Sequence, residues 1–141
     1  MRSILWICIL AIVAGCGWFD DPRPDEALVT IQGTPGAEVR LIVSKEFIAG
    51  VGQNGVTRVE IFKSDTLIAT VPFQLTTSIR DYRQFFSQVS RLESDVDSVT
   101  VQVFLDERRQ FDESGPLLEN APYRFVYVFN NRLTDNLDVV F

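Results

Sequence analysis

The sequence contains no histidine and only two cysteines among its 141 residues. Histidine is the commonest general acid–base group near neutral pH and the commonest metal ligand. Its absence therefore excludes serine–histidine hydrolysis and histidine-bound metal centres. Cys8 lies within an N-terminal apolar run and Cys16 ends it, so no cysteine pair is left to cross-link the chain beyond that point. We expect a non-catalytic protein that folds through its apolar core alone.

The charge of the chain is negative. Its 13 lysine and arginine residues stand against 19 aspartate and glutamate residues, which gives a formal net charge of −6. Such a protein is repelled by nucleic acid and by anionic lipid, so we expect no nucleic-acid partner. Acidic pairs such as Asp95 with Asp97 carry oxygen ligands of the kind that calcium takes. No EF-hand spacing accompanies them, and we predict neither a metal site nor a cofactor.

An uninterrupted apolar run, Ile4–Ala14, lies at the N-terminus behind Arg2. A transmembrane helix needs about 20 apolar residues, and this run is too short. It closes with Val13-Ala14-Gly15-Cys16. This order of a basic start, a short apolar run, small residues and a cysteine resembles the lipobox signal of bacterial lipoproteins.

The resemblance implies a specific processing of the chain. In bacterial lipoproteins a diacylglyceryl group is attached to the cysteine thiol, and the chain is cut just before that cysteine. Here Cys16 would be the lipidated residue, and residues 1–15 would be the signal peptide. The cleavage motif would consist of Val13, Ala14 and Gly15. A conventional cleaved signal and an uncleaved anchor are the alternatives.

The resemblance also implies a location in the cell envelope, with the protein anchored to a membrane by lipid and facing the periplasm or the cell surface. In Gram-negative lipoproteins an aspartate directly after the lipidated cysteine tends to retain the protein in the inner membrane. Gly17 occupies that position here. We therefore favour the outer membrane.

The rest of the chain divides into a tether and one domain. Residues 16–26 are assigned to the lipidated cysteine and a tether, because Asp20–Glu26 is charged and interrupted by two prolines. Over residues 27–141 apolar and polar residues alternate with a period of two between turn residues, which predicts an antiparallel β-sandwich. The residues expected in its core are Val39, Leu41, Val43, Val59, Ile61, Val99, Val101, Val103, Phe125 and Tyr127.

Two segments depart from the alternating pattern. Apolar residues recur at helical spacing over residues 79–92, and this favours one inserted helix, although a strand is the alternative. Asp106–Pro122 is interpreted as a long loop, and it carries Phe111, Leu117 and Leu118. Loops of this length are usually functional or disordered. We expect these three apolar residues either to bind a partner protein or to cap one end of the sandwich.

The strand pattern resembles the immunoglobulin-like domains of bacterial surface proteins. The resemblance rests on Gly55–Phe62, which is followed by a short turn and Leu67–Thr70, and on Ser98–Phe104, which Asp106 follows. It implies an antiparallel immunoglobulin-like sandwich. The sequence departs from the family in its helical segment, its long loop, and its lack of a cysteine pair or a tryptophan in the predicted domain.

Together these features predict a lipid-anchored envelope lipoprotein. We expect it to act as a non-catalytic accessory or adaptor subunit of a larger membrane-associated protein complex. The alternative is an immunoglobulin-like module that binds a surface glycan or another ligand. A glycan-binding surface requires a row of exposed aromatic rings, for which Phe62 and Phe104 are the candidates.

Overall fold

The computed structural model describes residues 23–52, 55–129 and 131–141, and every regular element within those ranges is a β-strand. Cys16 and its cleavage motif lie outside the described residues. In chain order the strands are β1 (Glu26–Gly33), β2 (Glu38–Val51), β3 (Thr57–Thr70), β4 (Phe73–Ser78), β5 (Gln84–Arg91), β6 (Val96–Leu105), β7 (Arg108–Leu117), β8 (Tyr123–Val128), β9 (Asn131–Leu133) and β10 (Leu137–Val140).

The strands form two sheets that pack face to face, which confirms the predicted β-sandwich. One sheet has four strands in the order β4-β1-β6-β7, and the other has six in the order β10-β3-β2-β5-β8-β9. The paired strands are antiparallel except for β10, which runs parallel to β3 at one edge. All ten residues predicted for the core are buried. Eight of them lie in the core between the two sheets, whereas Val59 and Ile61 belong to a second cluster. Their burial follows from strand parity, because successive residues of a strand point to opposite sides of the sheet.

The long loop predicted over Asp106–Pro122 is wrong, because most of that segment is strand β7. β6 and β7 form a hairpin whose two-residue turn consists of Asp106 and Glu107, both with positive φ. That geometry is the one hairpins favour, although asparagine and glycine are its usual residues. β7 lies at a sheet edge, and few of its side chains are buried. Its sequence therefore lacks a clear apolar alternation.

The inserted helix predicted over residues 79–92 is also wrong. Gln84–Arg91 is strand β5, which pairs with β2 on one side and β8 on the other. Phe85 and Val89 point into the core between the sheets, whereas Phe86 belongs to a second cluster. Because β5 is buried on both faces, apolar residues of both parities occur along it. This mixture of parities produced a spacing similar to that of a helix.

The second cluster lies on the far face of the six-stranded sheet. Phe86 and Val126 are fully buried there, and they have the opposite strand parity to the core residues of β5 and β8. Phe47 from the second half of β2, and Val59 and Ile61 from the first half of β3, pack with them. The pairing of β2 with β3 is irregular between Val43 and Phe47. At this point the two strands change the face that they bury.

The connection between the outermost strands requires this sheet to curl. β9 and β10 are at opposite edges, yet only residues 134–136 join them. Six strands laid flat would separate the edges by about 24 Å, at about 4.8 Å per strand. Four residue steps span at most about 14 Å. The edges must therefore approach each other, and the curled sheet encloses the second cluster on its concave side.

Candidate functional site

The three residues predicted to bind a partner separate into two groups. Phe111 and Leu117 are buried in the core between the sheets, and the Phe111 ring lies 5.8 Å from that of Phe125. They are therefore not available to a partner in this fold. Leu118 is exposed, at 45% of its full accessible area. The sequence prediction was wrong here because the segment was interpreted as a loop, and strand parity indicates burial only for residues in strands.

The two aromatic residues considered for glycan binding do not form a row. Phe62 is on β3 of the six-stranded sheet and is exposed, whereas Phe104 is on β6 of the four-stranded sheet and is half-buried. The outer face of the four-stranded sheet is instead polar near Phe104. Gln102 accepts a hydrogen bond from Thr30 and donates one to Asp112.

The acidic pairs seen in the sequence act in local polar contacts. Asp95 pairs with Arg91 at 3.0 Å, and Asp112 pairs with Arg109 at 2.6 Å. Within the part of the chain that the structure describes, no group of three or more potential metal ligands comes together. The acidic residues are spread over different turns and strands of the sandwich.

The end of the sandwich where the chain enters, here called the tether end, is built around Asp106. Its carboxylate accepts hydrogen bonds from the backbone N–H groups of Asp25 and Glu26, at 2.9–3.1 Å. The Asp25 side chain in turn pairs with Arg80 at 2.9 Å. These contacts attach the first residues of β1 to the β6–β7 turn and to the segment after β4. The direction in which the chain leaves the domain is thereby fixed.

A surface cleft of about 190 Å³ lies at the tether end. Arg23, Arg80 and Arg83 line it together with three aromatic residues and a proline, and no carboxylate residue is among its lining. Its other lining residues are Pro24, Tyr82, Tyr127 and Phe129. Arg80 and Arg83 are close in the sequence, but Arg23 is far from both, so only the fold brings it to them. No pattern in the sequence could have indicated this cleft.

The electrostatics of the cleft favour an anionic group. Asp25 already pairs with Arg80, and its hydrogen bond and charge raise the pKa of Arg80 above its ordinary value, so the charges left for a ligand are those of Arg23 and Arg83. Arg23 and Arg83 form no ion pair with any described residue. Guanidinium groups bind phosphate and carboxylate through paired hydrogen bonds. The cleft can therefore accept an anion, despite the negative charge of the whole chain.

Exposed apolar side chains are found on the half of the β2–β3 hairpin that is next to its turn. Ile48 and Phe62, here called the hairpin patch, are 57% and 62% exposed and share one face of the hairpin, whereas Val51, which is 72% exposed, lies on the other face. The hairpin closes through a glycine-containing turn in which the Gly52 N–H donates to the Val56 carbonyl at 2.9 Å. Gln53 and Asn54 are outside the described residues.

The sequence was compared with protein families and with curated proteins. No family of known proteins matches its sequence, and no curated protein matches it significantly. Among the described residues there is no helix that is long and apolar enough to span a membrane.

Proposed function

We propose that the chain is a lipid-anchored lipoprotein of the bacterial cell envelope. The proposal is carried by Val13-Ala14-Gly15-Cys16, which stands directly behind a short apolar run. Cys16 would hold the lipid, and the described fold follows seven residues later at Arg23. An extended segment of that length reaches about 25 Å. The tether end would therefore stay close to the membrane surface.

The cleft at the tether end supports this proposal. With the anchor at Cys16, the guanidinium groups of Arg23, Arg80 and Arg83 would lie within reach of lipid headgroups. Phosphate is the group that such a cluster binds best. The cleft would add local contacts to the membrane, while the acyl chains supply the attachment.

The proposed role is that of a non-catalytic adaptor in a larger envelope complex. The described strands hold exposed apolar side chains on the hairpin patch, and large exposed apolar groups commonly mark surfaces that bind other proteins. The hairpin patch therefore replaces Phe111 and Leu117 as the proposed partner surface. The domain would be an immunoglobulin-like module. Its two antiparallel layers support that likeness, and its curled sheet and parallel β10 depart from it.

Membrane fractionation tests the anchor. The parent chain should sediment with membranes, and we expect it with outer-membrane markers in a sucrose gradient because Gly17 follows Cys16. The Cys16→Ser chain, once cut by another peptidase, should move to the soluble fraction. Parent protein that is soluble would refute the anchor. Parent protein with inner-membrane markers would refute only the outer-membrane location.

Native electrophoresis of solubilised membranes tests the adaptor role. The parent chain should migrate in a complex, and the Ile48→Ser/Phe62→Ser double variant should leave it. Ile68→Ser is the matched control, because Ile68 is equally exposed on β3 but lies outside the hairpin patch. If the double variant stays in the complex, the hairpin patch is not the partner surface. If the parent chain migrates alone, there is no adaptor role.

A further inference from the structure

The edge strands of this sandwich differ in the features that prevent them from pairing with another chain. Natural edge strands avoid pairing with other chains through charge, proline, irregular register or short length. β7 carries four charged residues, β9 has only three residues and β10 has four. The side of β3 beyond β10 carries Lys63 and Asp65. β4 has six residues, Phe-Gln-Leu-Thr-Thr-Ser, with no charge, no proline and a regular register.

The directions of the backbone groups on β4 follow from one hydrogen bond. The Ile79 N–H donates to the Asp25 carbonyl at 2.9 Å, on the side where β1 pairs. In an antiparallel pair, successive residues point their backbone groups alternately toward and away from the neighbour. Residues 73, 75 and 77 therefore bond to β1, and residues 74, 76 and 78 point their N–H and C=O groups outward. A contact of Lys45 is consistent with this alternation, because its ammonium group donates to the outward-pointing Ser78 carbonyl at 3.2 Å.

Only two residues of this edge keep both outward groups available. The Ser78 carbonyl already accepts the bond from Lys45. Pro72, which precedes the strand with the same parity, has no N–H to donate. Gln74 and Thr76 remain, each with one N–H and one C=O directed outward. Among the described residues no strand other than β1 pairs with β4.

We propose that β4 pairs with β4 of a second copy of this chain, antiparallel and about a twofold axis at Leu75. In this register Gln74 lies opposite the partner's Thr76, and Thr76 lies opposite the partner's Gln74. All four outward groups on each copy then form hydrogen bonds. A register centred on residue 74 would set Thr76 against a proline, and one centred on residue 76 would set Gln74 against the occupied Ser78.

The side chains of β4 fit the same register. A twofold axis at Leu75 keeps the inward faces of both strands on one side, because residues directly opposite each other share a face. The half-buried Leu75 would pack on its own copy, and Phe73 would pack beside the partner's Thr77. The strand carries no charge, so the twofold axis brings no like charges together across it. The two four-stranded sheets would become one sheet of eight strands.

The small contact makes the pairing weak in solution. An interface of about five residues on each copy falls below the size of stable dimers. Anchoring both copies in one membrane would raise their local concentration, and in this respect the inference rests on the proposed function. Antiparallel pairing puts the two tether ends at opposite ends of the joined sheet. Both anchors reach one membrane if the strands lie along its surface.

Disulfide trapping in isolated membranes tests the pairing on the full chain. Leu75→Cys places two thiols across the axis at a non-hydrogen-bonded position, where Cα atoms are about 4.5 Å apart. That separation is within the range of a disulfide. Oxidation by dioxygen with copper phenanthroline should produce a dimer band on non-reducing gels. The same treatment of the parent chain measures any background from Cys8 and Cys16, and Ser114→Cys on β7 is the control at the opposite edge.

A second substitution makes the result specific to the edge. Thr76→Lys adds a charge that points away from the core, so we expect the fold to persist and the Leu75→Cys dimer band to be lost. A band no stronger than that of Ser114→Cys, or one that survives Thr76→Lys, would overturn the pairing. Sedimentation in detergent at high protein concentration should show a dimer for the parent chain and a monomer for Thr76→Lys. This measurement does not use Leu75→Cys, so a folding defect in that variant does not affect it. It also tests the pairing if fractionation refutes the membrane anchor.

Discussion

The Asp106 carboxylate accepts a hydrogen bond from the Asp25 backbone N–H at 2.9 Å, across 81 residues of sequence. It also accepts one from Glu26, so that one side chain in the β6–β7 turn holds the start of β1. We predict that Asp106→Ala lowers the free energy of unfolding by about 1–2 kcal/mol, since hydrogen bonds to a charged acceptor are lost. Chemical denaturation measures this loss.

Glu107→Ala is the matched control for that variant. Both residues of the turn have positive φ, so each variant places alanine in the left-handed region. The Glu107 side chain forms no hydrogen bond or ion pair with a described residue. If Asp106→Ala costs no more than Glu107→Ala, the carboxylate does not hold the entry of the chain.

Leu117 and Leu118 are neighbours with opposite environments, which makes them a direct test of the β7 assignment. Leu117 is fully buried, so Leu117→Ser should cost about 3–5 kcal/mol through the lost apolar contacts and a buried hydroxyl. Leu118→Ser should change stability by less than about 0.5 kcal/mol, because Leu118 faces solvent. Equal melting temperatures for the two variants would mean that the segment is the loop that the sequence predicted.

The second cluster should contribute to stability as a true core. Phe86 is fully buried there, with the Phe47 ring at 6.3 Å and the Phe141 ring at 6.2 Å. Phe86→Ala should cost about 3–5 kcal/mol. Phe62→Ala removes an exposed ring from the same sheet and should cost less than about 0.5 kcal/mol. A similar cost for the two variants would contradict the curled sheet, and denaturant midpoints decide between them.

The strands that were predictable from sequence are those with one buried face. β6 alternates valine with polar residues, and its buried residues Val99, Val101 and Val103 all follow from parity. β5 was not predictable in this way, because it is covered on both faces and parity carries no information there. The curl of the sheet is set by the short connection between β9 and β10. Its effect depends on strand order, which a single sequence does not contain.

The candidate sites were less accessible to sequence reasoning than the core. The arginine cleft joins Arg23 to Arg80 and Arg83, which lie more than fifty positions away in the sequence, and Asp106 contacts Asp25 across 81 positions. Both sites depend on which strand ends meet at the tether end. β4 was not assigned as a strand from the sequence, and its position at a sheet edge follows only from its pairing with β1.

The intact mass of the native protein tests the lipid anchor at Cys16. We predict a chain that starts at Cys16, with residues 1–15 removed. Its mass should exceed that of residues 16–141 by a diacylglyceryl group and an N-linked acyl chain. Fragmentation should locate both additions on Cys16. A native protein whose Cys16 carries a free thiol would contradict the lipoprotein assignment.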